Sequence, residues 1–296
     1  MKRATSVVLL ILMILMWGLS WPVAKIGLSY TSPTNYIEWR FVFATVMMFL
    51  VAWVSKNLVI PRKKDLMIIA TVGIFQMGLM MNLSTFGLSL VPAGKATFLT
   101  FTTSLWLVPL TAFLDRKIIA FDVLTFCIGL LGVVLLVEPW KGEPIIGYVS
   151  LLAAAVSWSV GILCARHLTW HRPLIQLLPW QLLLVTSLTF IIGFLNGTPI
   201  IPQHLDPIFI GTLVYTGSIA IALGYWIMIL VSKNLSPAIT STGLICVPIT
   251  SLLLSTFITG EKITFLFLVS VILITGSTLM HIYVEKIKSR NRDEII

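Results

Sequence analysis

Residues 90–117, LVPAGKATFLTFTTSLWLVPLTAFLDRK, align without a gap on residues 235–262, LSPAITSTGLICVPITSLLLSTFITGEK, at a constant shift of 145. Each copy has a proline near its start, an apolar run of membrane length and a polar tip that ends in lysine. The matched ends weigh more than the matched leucines, because such residues mark helix boundaries. We interpret the stretches as copies of one internal repeat. The identical positions are Leu90/Leu235, Pro92/Pro237, Ala93/Ala238, Thr97/Thr242, Leu99/Leu244, Leu107/Leu252, Thr111/Thr256 and Lys117/Lys262.

The composition places the chain in a membrane. Of its 296 residues 58% are hydrophobic and 10% are charged, and the mean hydropathy is +1.02. A water-soluble domain carries about 25% charged residues. The net charge of +9 does not indicate nucleic-acid binding, because the basic residues flank apolar runs and read as topology signals. The three cysteines each lie in an apolar run, which predicts small buried thiols: Cys127, Cys164 and Cys246.

Ten apolar runs are long enough to span a bilayer, which takes roughly 20 residues each. If the N-terminus is cytoplasmic, alternation puts 15 of the 20 basic residues inside and 4 outside, with Arg40 intramembrane. This bias predicts ten spans with both termini in the cytoplasm of a cell membrane, the bacterial inner membrane being our expectation. The predicted spans are about 5–28, 34–55, 66–88, 93–114, 119–138, 146–167, 174–195, 207–231, 237–259 and 264–284.

The two halves are predicted to be inverted relative to each other. Trp17, Ala24 and Lys25 recur at a shift of 141 as Trp158, Ala165 and Arg166, so the first span belongs to the repeat rather than to a cleaved signal peptide. Five spans per repeat force the second copy to enter the membrane the other way up, as in many secondary transporters. We therefore expect an all-α membrane protein with repeats at 5–138 and 146–284 around a central cavity, and a basic cytoplasmic tail at 285–296.

Several motifs resemble the drug/metabolite transporter superfamily, and its EamA-type members in particular. WGLSWPVAK at 17–25 is similar to the first-helix signature of that family, and Arg40 matches the arginine of its second helix. The starts PAGKAT at 92–97 and PAITST at 237–242 resemble its fourth and ninth helices, and GEK at 260–262 its usual loop. DRK at 115–117 departs from that loop motif, and Thr103 stands where the second copy has a mid-helix proline, Pro248. The resemblance implies ten helices and export of small metabolites, such as amino acids or drugs.

Arg40 is the sharpest single candidate for substrate binding. It lies about two turns inside the second span, where a charge is costly unless it faces protein or water. Its guanidinium suits a substrate carboxylate or phosphate. The alternatives are a structural pairing with Glu38 or a cap on a broken helix.

Other polar or aromatic residues at membrane depth are candidates for lining the cavity. Tryptophans at mid-span can stack on a substrate or hold a cation, or they can simply pack between helices. Hydroxyl and amide groups can line a polar path, although they more commonly bond within the protein. The candidates are Trp17, Gln76, Asn82, Thr97, Thr100, Trp106, Trp158, Gln181 and Tyr215.

The remaining motifs favour neither an enzyme nor a cofactor protein. The histidines His167 and His171 are four residues apart, yet beside two arginines they are expected to be solvated, and we predict no metal, cofactor or catalytic residue. The acidic residues near the membrane lie close to span ends, so proton antiport is no better supported than facilitated export or exchange. A membrane-embedded enzyme and a lipid flippase remain as alternatives. The expected partners are a small-molecule substrate and the lipid bilayer, with homodimerisation left open and nucleic acid excluded.

Overall fold

Residues 3–115, 120–141, 144–201 and 206–293 are described by the structure, which is a computed structural model. Over these ranges the chain forms ten helical spans and no strand. We number them α1 to α10, counting an interrupted span once. Their bounds are Arg3–Gly27 (α1), Pro33–Val54 (α2), Leu66–Val72 with Gly73–Leu79 and Met80–Leu90 (α3), Ala93–Thr100 with Thr103–Asp115 (α4), Ala120–Val137 (α5), Ile145–His167 (α6), Leu174–Leu195 (α7), Pro207–Leu213 with Val214–Leu223 and Gly224–Ser232 (α8), Pro237–Ile258 (α9) and Phe265–Asp293 (α10).

The predicted all-α membrane architecture is confirmed. Within the described residues, eight of the spans are long and apolar enough to cross a bilayer, and α9 and α10 add shorter apolar stretches at Thr242–Ile258 and Phe265–His281. The helix α10 continues to Asp293, into the region predicted as a tail, and residues 294–296 lie outside the described ranges. Pro22 lies inside α1 without ending it.

The fourth span is not the continuous helix that the sequence predicts for 93–114. It breaks between Thr100 and Thr103, where the Thr102 amide bonds to the Leu99 carbonyl three residues back at 3.2 Å. The Thr102 and Thr103 hydroxyls also donate to nearby carbonyls, at 2.6 and 2.9 Å. Hydroxyls that compete for backbone carbonyls in this way favour a tighter turn over a regular helix.

Both α3 and α8 contain a π-helical segment at the same repeat position. The segments begin at Gly73 and Val214, which the shift of 141 superposes. A π-helical turn adds a residue to the helical repeat and commonly occurs at functional sites. Prolines are not confined to the second copy either, because α4 contains Pro109 and α9 contains Pro248.

Two tryptophans in α2 and α7 make reciprocal contacts that reveal a two-fold relationship. The Trp39 indole N–H donates to the Ile200 carbonyl at 2.9 Å, and the Trp180 indole N–H donates to the Val59 carbonyl at 2.8 Å. The shift of 141 relates Trp39 to Trp180 and Val59 to Ile200. Exchanging the two repeats therefore converts one of these hydrogen bonds into the other. The ring contacts Trp39–Phe190 and Phe49–Trp180 obey the same exchange.

The packing of whole helices follows the same exchange. The helices α2, α4 and α5 each pack against their own repeat equivalents α7, α9 and α10. The pairs α1–α8 and α1–α9 recur as α6–α3 and α6–α4. Because α2 and α7 run antiparallel, a two-fold rotation that exchanges them must be perpendicular to the helices. The repeats are therefore inverted about an axis in the membrane plane.

The two ends of the bundle are packed differently. We call the end where α1 begins the N-terminal side and the end where α1 finishes the distal side. On the distal side one apolar cluster joins both repeats, including Ala24, Leu88, Ala93 and Leu252. On the N-terminal side two smaller clusters form, one among α1, α8 and α9 and another among α3, α6 and α7, and a further cluster with Met48, Ile175 and Ile229 joins both repeats.

The exposure of equivalent helix halves shows which side is closed. Every residue of Ala93–Thr100, the first part of α4, is buried on the distal side. The first part of α9, its repeat equivalent on the N-terminal side, exposes Thr242 and Cys246. The bundle is thus closed more tightly on the distal side than on the N-terminal side.

Candidate functional site

A cavity of about 80 Å³ lies between the repeats, bounded by α1, α2, α3, α4, α6 and α8. A single water needs roughly 10–15 Å³ of such space, so the cavity accommodates several waters or a small organic molecule. It extends from the bilayer centre towards the closed distal side. Its lining residues are Trp17, Ser20, Trp21, Ala24, Arg40, Met80, Met81, Ser84, Thr85, Leu88, Thr100, Phe101, Trp158, Ala220, Ile221 and Tyr225.

Arg40 provides a positive charge in the cavity lining. Its Nη2 donates to Ser20 Oγ at 3.3 Å and its Nε donates to the Thr216 carbonyl, in the π-helical segment of α8, at 3.5 Å. A guanidinium has five N–H donors. Among the described residues it has no acidic partner, and these two hydrogen bonds use two of its five donors.

The proposed pairing of Arg40 with Glu38 does not occur. Glu38 is buried on another face of α2, where it accepts a hydrogen bond from Asn35 Nδ2 at 3.4 Å and packs against Gly193 of α7. Glu38 and Arg40 are two positions apart on a helix, and side chains at that spacing do not face each other.

Five aromatic residues line the cavity, and four of them form two ring pairs. The Trp17 ring lies 5.5 Å from Tyr225, and its indole N–H donates to the Ala220 carbonyl at 2.8 Å. The Trp158 ring lies 5.3 Å from Phe101. The equivalent tryptophans of the two repeats therefore meet at one site, with flat apolar faces next to a cation.

Hydroxyl groups complete the lining. Thr100 donates to its own helix at Ala96, 2.9 Å away, and Ser84 donates to Met81 at 3.2 Å. The Thr85 hydroxyl is buried and has no partner among the described residues. An unpartnered buried hydroxyl is unfavourable, which distinguishes Thr85 from Thr100 and Ser84.

Four of the ten predicted residues thus meet in the cavity: Trp17, Arg40, Thr100 and Trp158. Three others bond within the protein away from it. Thr97 Oγ1 lies 2.7 Å from Ser251 Oγ, Asn82 Nδ2 donates to the Gly78 carbonyl at 2.8 Å, and the Tyr215 hydroxyl donates to the Met16 carbonyl at 3.1 Å.

The last three predicted residues also lie outside the cavity. Trp106 packs 6.1 Å from Phe126 and donates to Thr102. Gln76 lies in the π-helical segment of α3 against Gly161. Gln181 is fully buried in α7.

The sequence analysis missed several lining residues, above all Tyr225, Trp21 and Thr85. Trp17, Trp21 and Ala24 are spaced along one helical face, and this spacing could have predicted that the face lines the cavity. The sequence around Tyr225 gives no such indication, because one tyrosine in an apolar helix does not show which neighbouring helix it faces.

Comparison with known proteins identifies the family. The model of the EamA-like transporter family matches residues 4–138 and again residues 145–283. The chain belongs to the EamA-like transporter family. It is therefore a multi-pass membrane transporter of small molecules.

Relatives of this EamA-like transporter align over nearly its whole length. It is 24% identical to the uncharacterized transporter YvbV of Bacillus subtilis over 291 residues, which is 94% of this chain and 91% of that protein. It is 27% identical over 293 residues to a probable amino-acid metabolite efflux pump of Salmonella typhimurium, at 93% and 94% coverage. A known crystal structure shares the fold with a TM-score of 0.62 at 19% identity, covering 94% of this chain and 96% of that one.

The cysteines of this EamA-like transporter are not the buried thiols that we expected. Cys127 and Cys246 are exposed and Cys164 is half-buried, and all three are unpaired. An apolar run in a membrane protein presents one face to lipid, so an apolar neighbourhood in sequence does not imply burial in protein.

Acidic side chains of this EamA-like transporter support the closed distal side. Glu138 lies 3.0 Å from Lys95 in a buried ion pair between α4 and the end of α5. Glu261 accepts hydrogen bonds from the first amides of α4, including Gly94 at 2.9 Å. Of the described residues that line the cavity, none is acidic.

Proposed function

We propose that this protein is a secondary transporter that carries small carboxylate-bearing metabolites, amino acids or related compounds, by alternating access through the cavity. The observation that carries the proposal is Arg40, a cation at membrane depth that faces a cavity shared by both repeats. Desolvated guanidinium groups bind carboxylates with paired, charge-assisted hydrogen bonds. The five aromatic residues of the same lining suit an apolar or flat substrate body.

The inverted repeat supports alternating access. Two equivalent halves with different packing supply two conformations of similar energy, in which the open and closed ends are exchanged. The positive-inside bias supports a cytoplasmic N-terminus in a bacterial inner membrane, so the conformation described here opens to the cytoplasm. Export is the direction that we propose, since two relatives are named probable efflux pumps.

The experiment starts from the substrate. Metabolites in growth medium are compared between cells with and without the protein, and hits are tested for thermal stabilisation of the purified protein, since a ligand stabilises the state it binds. Labelled hits are then followed in proteoliposomes. Accumulation of a carboxylate metabolite supports the proposal, whereas scrambling of labelled lipid without metabolite transport would support a flippase instead.

Variants then test the site. We expect Arg40→Ala and Arg40→Gln to abolish transport and ligand stabilisation, and Arg40→Lys to retain part of both because it keeps the charge. Trp17→Ala is expected to weaken transport, whereas Trp106→Phe, outside the cavity, is the matched control. Normal transport by Arg40→Gln would remove this residue from the site.

A further inference from the structure

Arg40 and Gln181 are repeat equivalents. The shift of 141 superposes them, and the residues on either side confirm this register, because Trp39/Trp180 make reciprocal bonds and Thr45/Thr186 contact each other. Residue 181 thus stands on α7 where Arg40 stands on α2.

The two side chains have different surroundings in this conformation. Arg40 lines the cavity, whereas Gln181 is 0% exposed and neither its Oε1 nor its Nε2 has a partner among the described residues. Gln181 packs against the π-helical segment of α3, where a Cβ built on Gly73 would lie 3.4 Å from Gln181 Cβ. A buried amide without partners is destabilising, and an apolar residue of similar size would fill this position better.

The different packing of the two sides explains why Gln181 is buried whereas its equivalent Arg40 lines the cavity. The helices α1, α2 and α8 now surround Arg40 at the cavity. Gln181, on the equivalent helix α7, packs against the equivalent helix α3, and α3 packs against α6. When the two halves exchange conformations, α6, α7 and α3 adopt the open arrangement, with Trp158 in the present role of Trp17.

We propose that Gln181 lines the substrate cavity when the transporter opens on its distal side, where its amide takes the place that the Arg40 guanidinium holds now. This inference rests on the proposed alternating access. The cavity then contains the neutral amide of Gln181 when it opens on the distal side and the cationic guanidinium of Arg40 when it opens on the N-terminal side. A carboxylate is then held more strongly from the N-terminal side than from the distal side, since charge-assisted hydrogen bonds are the stronger kind.

Cysteine accessibility tests the proposal without a known substrate. In a protein whose Cys127, Cys164 and Cys246 are replaced by alanine, Gln181→Cys is treated with a membrane-impermeant methanethiosulfonate in vesicles of each orientation. We expect modification from the distal side only, and Arg40→Cys to be modified from the N-terminal side. Leu182→Cys is the matched control, because Leu182 is also 0% exposed, and it is expected to stay unmodified.

A disulfide that keeps the distal side closed sharpens this test. A Cβ built on Gly94 would lie 3.5 Å from the Leu252 Cα, so Gly94→Cys and Leu252→Cys are close enough to be bridged between α4 and α9. Oxidation of this pair is expected to slow modification of Gln181→Cys by roughly tenfold or more, because it blocks the opening that exposes the amide. Modification of Arg40→Cys should continue.

Gln181→Leu supplies a second readout. It removes an unpartnered amide, so we expect an unfolding temperature equal to or above that of the unsubstituted protein, together with transport reduced by roughly tenfold through the lost contact. The proposal is overturned if Gln181→Cys stays unmodified from both sides while transport continues, or if Gln181→Leu transports normally. Failure of the proposed function would give a different result. In that case the unsubstituted protein itself would transport none of the metabolites found in the growth medium.

Discussion

The hydroxyl oxygens of Thr45 and Thr186 lie 2.8 Å apart, although the two residues are separated by 141 positions in the chain. That separation is the repeat shift, so each threonine contacts its own equivalent. A residue can touch its equivalent only where the two-fold axis passes between them. The pseudo-two-fold axis that relates the two repeats therefore crosses the α2–α7 interface at this pair.

The hydrogen bond at the axis predicts unequal effects of its two substitutions. Thr186 Oγ1 also donates to the Leu182 carbonyl at 2.7 Å, so Thr45→Val leaves Thr186 satisfied. Thr186→Val removes the acceptor of the buried Thr45 hydroxyl. We expect Thr186→Val to lower the free energy of unfolding by about 1 kcal/mol and Thr45→Val by less, as measured by denaturant titration in micelles. Ser187→Ala, on an exposed face, is the control, and equal losses for the two threonines would refute this reading.

Glu261 is predicted to stabilise the start of α4. Its carboxylate accepts from the amides of Ala93 and Gly94, which have no partner inside the helix, and its charge opposes the positive end of the helix dipole. We expect Glu261→Ala to lower the free energy of unfolding by about 1–2 kcal/mol and Glu261→Gln by roughly half of that. The neighbouring Lys262→Ala should change it by no more than about 0.5 kcal/mol, since Lys262 is exposed. A Gln variant as damaging as the Ala variant would argue against a role for charge.

Lys25 is predicted to hold the distal side closed. Its Nζ donates to the carbonyls of Leu88, Ser89 and Val91 at 2.7, 3.1 and 3.1 Å, which ties α1 to the end of α3. Its repeat equivalent Arg166 is exposed and bonds to none of the described residues.

The unequal state of these two cations can be measured from the distal side. In the cysteine-free protein, the cavity residue Ser84 is changed to Cys and treated with the impermeant thiol reagent. Lys25→Met should raise the modification rate by roughly tenfold or more, because charged hydrogen bonds contribute about 1.5–3 kcal/mol. Arg166→Met should not raise it. Equal rates in the two variants would contradict a one-sided closure.

Gly87 is predicted to be required for the close packing of α3 on α6. A Cβ at this position would lie 2.5 Å from Leu151 Cγ and 2.8 Å from the Gly147 carbonyl oxygen, and the backbone atom cannot move aside. Gly87→Ala should therefore cost about 1–3 kcal/mol of unfolding free energy. Gly276→Ala meets nothing within 4 Å and should be neutral or stabilising by up to about 1 kcal/mol. Thermal unfolding of both variants makes the comparison, and a neutral Gly87→Ala would show that the helices can separate at this contact.

Sequence reasoning predicted the candidate site only in part. Trp106 and Trp158 are both mid-span tryptophans, yet Trp158 reaches the cavity and Trp106 packs on Phe126. Nothing in either helix separates the two, since the choice depends on which neighbouring helix faces each ring. The break in α4 at Thr102 was missed for a similar reason, because hydroxyl groups bond within a regular helix as readily as they disturb it.

The sequence by itself determined the membrane setting, the ten spans and the duplication. Each span needs enough apolar residues of its own to cross the bilayer, and the duplication is visible as identical residues at a constant shift. Only the tertiary structure decided which side is closed, that Arg40 faces the cavity and that Gln181 is buried without a partner. These features arise between helices that are distant in the chain. The two repeats are packed differently although their sequences are related, so the repeat pattern by itself does not specify which side is closed.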